Sequence, residues 1–341
     1  MVSLNAVAQK LVEPGKGILA ADESEPTIAK RFEKIGLPST EELRRDYREM
    51  LFRSKEAMTK YISGAILTEE TLLQRAADGT EFRALLADCD VIPGIKVDRG
   101  AFPMPGDTGE KITEGLDGLR PRLAHYASLG AGFAKWRGVI TINENAPTEN
   151  GIRANAHALA RYAVLCQEAG IVPVVEPEVV ADGEPGDHSI DRCEEVTAEV
   201  LETVFRELRL AGVELSGMLL KPNMVLSGVN AKDQPSVEEV ARRTVETLRA
   251  HVPTAVPGIA FLSGGQSDEE ATAHLSAMNQ IADLPWRLTF SYGRALQNAA
   301  LVLWQGNPEN VPAAQAAFTH RAHMNSLASL GEWRPDLDLA A

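Results

Sequence analysis

Three lysines in this 341-residue chain stand where a lysine is costly. Lys221 closes the apolar run Met218-Leu219-Leu220 and is followed by Pro222. Lys135 lies within Gly132-Phe133-Ala134-Lys135-Trp136-Arg137, and Lys96 follows Pro93-Gly94-Ile95. Each run reads as a strand buried on both faces. Pro222 ends the last of them, because proline cannot donate to a central ladder. Taking an ammonium out of water costs several kcal/mol, so a lysine in such a place needs a partner or a purpose. Burial also lowers an amine's pKa, which lets it attack a carbonyl carbon and form a Schiff base. Taken alone, Lys221 fits equally well a strand-end lysine whose ammonium snorkels to water. Three such lysines in one chain describe a cationic pocket, where a second ammonium near Lys221 would further disfavour its protonation.

Other reactive side chains follow apolar runs in the same way. Glu176 and Glu178 come after Ile171–Val175, and their spacing of two puts them on one face of a strand, as it does Lys135 and Arg137. Inward acids beside inward cations support proton transfer as well as charge balance, with a structural salt-bridge network as the plain alternative. Asp22 ends the run Gly17–Ala21. Ser263-Gly264-Gly265 can present backbone N–H groups to an anion, backed by the positive end of a helix starting near Ser267. Gly293 and Arg294 can close on the same anion, although two tight turns explain these residues equally. His320 and His323 lie three apart on a helix without a third ligand, which reads as a solvated face. Cys89, Cys166 and Cys193 are not at zinc spacing and read as reduced thiols of a cytoplasmic protein. Neither a P-loop nor a dinucleotide fingerprint is present.

Eight apolar runs have to position these groups. They are Gly17–Ala21, Gly64–Leu67, Val91–Ile95, Gly132–Ala134, Ile171–Val175, Met218–Leu220, Gly258–Leu262 and Leu288–Phe290. Amphipathic helical patterns fill the gaps. Starts at Ser39-Thr40-Glu41-Glu42, Ser236-Val237-Glu238-Glu239 and Ser267-Asp268-Glu269-Glu270 have the capping-box form, and Gly170 and Gly212 serve as stops. Strands alternating with helices predict one parallel eight-stranded (β/α)8 barrel over residues 1–341. A final helix runs from Pro308 to about Leu330, and a loose tail spans 331–341. The first residues lack the pattern of a signal peptide, and no run approaches the length of a membrane span. A net charge of −14 disfavours binding to nucleic acid or an anionic membrane, so any positive field must be local.

The order and content of these strand ends resemble the class I fructose-bisphosphate aldolases. The matching stretches are Gly17-Ile18-Leu19-Ala20-Ala21-Asp22-Glu23-Ser24, Gly94-Ile95-Lys96-Val97-Asp98, Phe133-Ala134-Lys135-Trp136-Arg137 and Val175-Glu176-Pro177-Glu178. They continue with Leu219-Leu220-Lys221-Pro222-Asn223-Met224, Phe261-Leu262-Ser263-Gly264-Gly265-Gln266-Ser267 and Ser291-Tyr292-Gly293-Arg294-Ala295-Leu296-Gln297. The resemblance implies reversible cleavage of fructose 1,6-bisphosphate to dihydroxyacetone phosphate and glyceraldehyde 3-phosphate, with no metal and no other cofactor. It implies that Lys221 is the Schiff-base lysine and Glu176, with Glu178 beside it, the general acid/base. Asp22 is then the base for the C4 hydroxyl, and Lys135 the cation that steers charge near Lys221. Ser263, Gly264, Gly293 and Arg294 would hold the C1 phosphate. Ser24, Thr27, Arg31 and Lys96 would hold the C6 phosphate or nearby sugar oxygens, and Arg137 belongs to the same cationic wall. Sugar phosphates are the implied partners, and a homo-oligomer, commonly a tetramer, the implied assembly.

Two departures stand out. Glu25-Pro26-Thr27 replaces a small, glycine-containing segment, and an inward Glu25 would repel a C6 phosphate. No tyrosine follows Tyr292, whereas many animal members end in one that assists proton exchange at the enamine carbon. That step is then expected to use another group or to be slower. Alternatives within reach of the same residues are another Schiff-base barrel enzyme acting on monophosphate sugars, or a non-catalytic scaffold.

Overall fold

A computed structural model describes residues 3–105 and 109–338 of the chain. Its strands are β1 (Gly17–Ala21), β2 (Ile62–Leu67), β3 (Ile92–Lys96), β4 (Ala101–Pro103), β5 (Lys111–Thr113), β6 (Phe133–Ile140), β7 (Val172–Val179), β8 (Leu219–Leu220), β9 (Gly258–Phe261) and β10 (Arg287–Tyr292). Eight of them, one from each apolar run, close a parallel barrel in the order β1-β10-β9-β8-β7-β6-β3-β2. The expected (β/α)8 architecture is therefore the observed one. β4 and β5 form a separate antiparallel hairpin after β3 that the apolar runs did not announce.

The period-two alternation of a strand explains how this barrel presents charge. Ile18, Ala20, Ile66, Phe133, Val172, Val174, Leu219 and Ala260 fill the interior as one apolar cluster. Two residues further along the same inward stripes stand Asp22 after Ala20, Lys135 after Phe133, Glu176 after Val174 and Lys221 after Leu219. Each stripe is apolar in the barrel's middle and turns ionic at its C-terminal mouth. The alternate residues Leu19, Ala134, Trp136, Val175 and Leu220 face outward into the larger core shared with the helices.

The bottom of the barrel is plugged by the Leu4–Leu11 helix, which no pattern in the sequence announces. Its Ala8 and Leu11 belong to the interior cluster, with Leu4 and Val7 packed against it. Glycine makes room for this filling. A Cβ on Gly94 would stand 2.2 Å from the Phe133 ring, and one on Gly64 would stand 2.6 Å from Leu11.

The helix signals are realised locally. The expected Ser39–Glu42 box is not formed, because the helix starts one residue later with Thr40 as its cap, accepting at 3.2 Å from the Leu43 N–H. Ser236 accepts at 3.2 Å from the Glu239 N–H, and Ser267 with Glu270 forms a reciprocal capping box. Gly170 and Gly212 follow long helices with φ of +73° and +76°, the left-handed turn that glycine adopts without strain.

The expected loose tail is corrected as far as Asp338. Trp333 is buried, Pro335–Asp338 is a short helical turn, and Asp338 pairs with Arg321 on the Val311–Ser329 helix. The physical reason is that Arg321 is itself buried and needs a carboxylate. Residues 339–341 lie outside the described residues. His320 bonds Asp338 at 2.8 Å and His323 stacks on Tyr61 at 5.0 Å between centroids, so neither faces a common ligand. Among the described residues no group of metal-ligating side chains is assembled, and no helix is long and apolar enough to cross a membrane.

Candidate active site

Lys221 is the first residue beyond β8, and its backbone N–H donates to Val175 of β7 at 2.8 Å. That bond fixes where its side chain enters the mouth. Its Nζ lies 3.0 Å from Glu176 Oε1. Lys135 Nζ lies 2.8 Å from Asp22 Oδ2 and 3.1 Å from Glu176 Oε2. All four residues are at most 8% exposed. Two buried ammoniums and two buried carboxylates thus balance one another's charge, the condition under which such burial is tolerable. The sequence placed one ammonium against the other, whereas the structure inserts the Glu176 carboxylate between them.

The charges are set by this arrangement. Burial alone would raise the Asp22 carboxyl, but Lys135 and then Lys221 overcome it and bring it down to about 2. Burial likewise pushes Glu176 up, and Lys135, Lys221 and Arg137 together hold it below the usual glutamate value. Burial works against the Lys135 charge, yet Asp22, Glu176 and Asp98 raise its pKa above the ordinary lysine range. At neutral pH the resting site therefore holds ionised Asp22 and Glu176 on either side of a firmly protonated Lys135.

A second layer surrounds the first. Lys96 of β3 pairs in register with Lys135 of β6. Its ammonium bonds the Asp98 carboxylate and, at 3.0 Å, the Asp98 carbonyl. Asp98 also accepts from the Gly100 and Arg137 backbone N–H groups at 3.2 and 3.4 Å. The Arg137 guanidinium bonds the Glu178 carboxylate, which raises the arginine further despite burial. Asp98 stands in the sequence without an expected role of its own. Its place two residues after Lys96, on the same face, was the available signal.

The two glycine turns follow neighbouring strands, β9 and β10, and so lie side by side at the mouth. A Cβ on Gly264 would stand 3.0 Å from Glu178 Oε1, so this turn runs directly beside the inner acids. A Cβ on Gly293 would stand 3.4 Å from the Ala20 carbonyl and 3.6 Å from Arg31 Nη2. Arg31 thus lies beside the Gly293 turn, although the resemblance grouped it with Ser24, Thr27 and Lys96. Arg294 is half exposed, 3.7 Å from Asp182 on the loop after β7. The Ser24 and Thr27 hydroxyls are 2.9 Å apart at the exposed start of the Glu25–Glu33 helix. Glu25 points into solvent with Arg44 at 3.9 Å, so the inward orientation that would oppose a phosphate is not adopted.

A buried hub was missed. Glu23 pairs with Arg31 and Arg48, and its Oε1 accepts from Gln297 at 3.2 Å. Gln297 also donates to the Ala20 carbonyl at 2.7 Å, tying the end of β1 to the helix after β10. Only the neighbouring Asp22 hinted at this role in the sequence.

The depressed Asp22 value has a stability consequence. A carboxylate at about 2 in the folded state, against 3.8 unfolded, stabilises the fold above the unfolded value and loses that contribution as pH falls toward the folded one. The contribution is about 2 kcal/mol at neutral pH, with roughly half of it gone by pH 3. Urea unfolding of the wild type and Asp22→Asn should therefore show a gap that narrows between pH 6 and pH 3. A gap independent of pH over that range contradicts the assignment.

A parallel barrel with an ionic lysine–carboxylate cluster at the C-terminal strand ends defines the class: a (β/α)8 enzyme, with its site where such barrels carry theirs. Comparison with known proteins gives the family. Residues 3–341 match the family model described as fructose-bisphosphate aldolase class-I. The "Probable fructose-bisphosphate aldolase class 1" of Xanthomonas campestris pv. campestris is 54% identical over 97% of this chain and 98% of that relative. "Fructose-bisphosphate aldolase C" of Carassius auratus is 51% identical over 97% of this chain and 90% of its own. A solved structure of fructose-bisphosphate aldolase from Plasmodium falciparum, in complex with TRAP and a small-molecule inhibitor, matches with a TM-score of 0.94 and 50% identity. That match covers 97% of this chain and 95% of the other. The chain belongs to the class I fructose-bisphosphate aldolase family, a family of carbon–carbon lyases.

Proposed function

We propose that this chain cleaves D-fructose 1,6-bisphosphate reversibly through a Schiff base on Lys221, without a metal ion, in glycolysis and gluconeogenesis. The observation that carries this reading is the Glu176 carboxylate, 3.0 Å from Lys221 and 3.1 Å from Lys135. An amine must lose a proton before it attacks the C2 carbonyl, and ionised Glu176 is the acceptor within reach. Once protonated, Glu176 returns that proton to the carbinolamine hydroxyl, which leaves as water and yields the iminium. The iminium withdraws the electrons of the C3–C4 bond, while Asp22 takes the C4 hydroxyl proton beside Lys135. A carboxylate at about 2 is a weak base, so this transfer proceeds together with bond breaking rather than before it.

Ser263, Gly264, Gly293 and Arg294 receive the C1 phosphate, with Arg31 beside the Gly293 turn. Ser24, Thr27 and Lys96 receive the C6 phosphate or nearby oxygens. Arg137 holds Glu178 and adds to the positive wall. Two phosphates far from the reacting bond position it through remote binding energy. We further assign a homo-oligomeric, commonly tetrameric state from the family, and a cytoplasmic location that suits the three buried free thiols.

Borohydride reduction in the presence of fructose 1,6-bisphosphate, followed by peptide mapping, tests the reading. The adduct is expected on Lys221, with activity unchanged in a strong chelator. An adduct on Lys135 or Lys96, or turnover of fructose 6-phosphate equal to that of the bisphosphate, overturns it.

A further inference from the structure

The Ser263–Gly265 turn leads straight into the Asp268–Asn279 helix, capped by Ser267. The first turns of that helix are gripped from two sides. From the barrel, the Tyr292 hydroxyl, one residue before Gly293, donates to the Ala271 carbonyl at 2.9 Å. From outside, Arg321 donates through Nη2 to the Asp268 carbonyl at 3.0 Å and to the Thr272 hydroxyl at 2.6 Å. Thr272 in turn lies 3.0 Å from Asn325 of the same outer helix as Arg321.

Arg321 is 6% exposed, and its orientation is set by one acid. Its Nη1 lies 2.7 and 2.8 Å from the two oxygens of Asp338. Asp338 is itself held by His320 at 2.8 Å and by the Trp333 indole N–H at 3.2 Å. A buried guanidinium without this carboxylate would be left uncompensated and would turn toward another acid or water. Burial holds the Asp268 carboxyl above its usual value, with the Arg321 and Arg294 charges acting in the opposite direction.

We propose that Asp338 and Arg321 are a positioning pair for the C1 phosphate turn, acting from outside the barrel through Asp268 and Thr272. The inference rests on the reading of Ser263, Gly264, Gly293 and Arg294 as a phosphate site. The pair touches no substrate. It fixes the helix whose start aims the backbone N–H groups of the turn, and a displacement of about 1 Å in such a group costs as much as 10²-fold. The closing stretch of the chain thereby takes part in substrate recognition through packing rather than by reaching into the site.

The full chain carrying Asp338→Asn, Asp338→Glu or Arg321→Lys tests this, with two ketones as probes. Asp338→Asn is expected to weaken dihydroxyacetone phosphate about tenfold, leave kcat within about threefold, and leave borohydride trapping of unphosphorylated dihydroxyacetone unchanged. Asp338→Glu should restore most of the lost affinity. An equal loss for both ketones, or a lowered Tm with unchanged phosphate affinity, means the pair only holds the fold and overturns the proposal. Wild-type protein that traps neither ketone would overturn the aldolase reading itself, an outcome distinct from wild-type trapping with unaltered variants.

Discussion

Lys221→Ala should abolish the borohydride-trapped adduct and lower kcat by about 10⁵-fold or more, the scale on which removal of a covalent nucleophile acts. The argument is one of position and charge. Lys221 is buried at the mouth, anchored through its backbone to β7, and ion-paired at 3.0 Å with Glu176, the carboxylate proposed to take its proton. Lys135 is no substitute, because Asp22, Glu176 and Asp98 hold it protonated. Lys221→Arg is the sharper variant, since it keeps a cation against Glu176 but cannot form an imine. Both variants should still bind fructose 1,6-bisphosphate, because the turns proposed to hold the phosphates are untouched. Turnover within about tenfold of wild type in either variant would leave no role for a Lys221 imine.

Glu176→Gln should lower kcat by about 10²–10⁴-fold, the range of a lost general acid/base. Its amide keeps the size of the carboxylate but can neither accept the Lys221 proton nor deliver one to the carbinolamine. The slowed step is therefore imine formation, and the rate of borohydride trapping in a single turnover reports it directly. Glu176→Ala combines this defect with a structural one. It strips the bridging carboxylate from Lys221 and removes one of two partners from Lys135, a loss of about 3–5 kcal/mol for a broken buried pair. Glutamine should thus retain most of the wild-type Tm and alanine should not. Trapping by Glu176→Gln at the wild-type rate would move the proton relay to another group.

Much of the barrel was legible because its signals are local. Each of the eight strands is a short apolar run. The same period of two that buries Phe133 or Val174 also directs Lys135 and Glu176 into the mouth. Helix caps at Ser236 and Ser267 depend on residues three apart and were equally readable. The Leu4–Leu11 plug was not, because a short helix with a modest apolar face becomes buried only once a barrel floor exists beneath it. The β4–β5 hairpin has strands of three residues, too short for periodicity to register. The Glu23 hub and the Asp338–Arg321 pair join residues whose partners lie on other elements, and no spacing rule links them.

The sequence by itself determined which groups meet at the mouth, since an inward stripe that ends in Lys, Asp or Glu has one place to put it. The tertiary structure decided which group touches which. Closing the barrel set Glu176 between Lys135 and Lys221, turned Glu25 outward toward Arg44, and brought Arg31 to the Gly293 turn. The reason is physical. Burial and alternation are properties of a segment, whereas a charge pair is a distance between segments, and that distance exists only when the register of neighbouring strands and the docking of the outer helices are fixed.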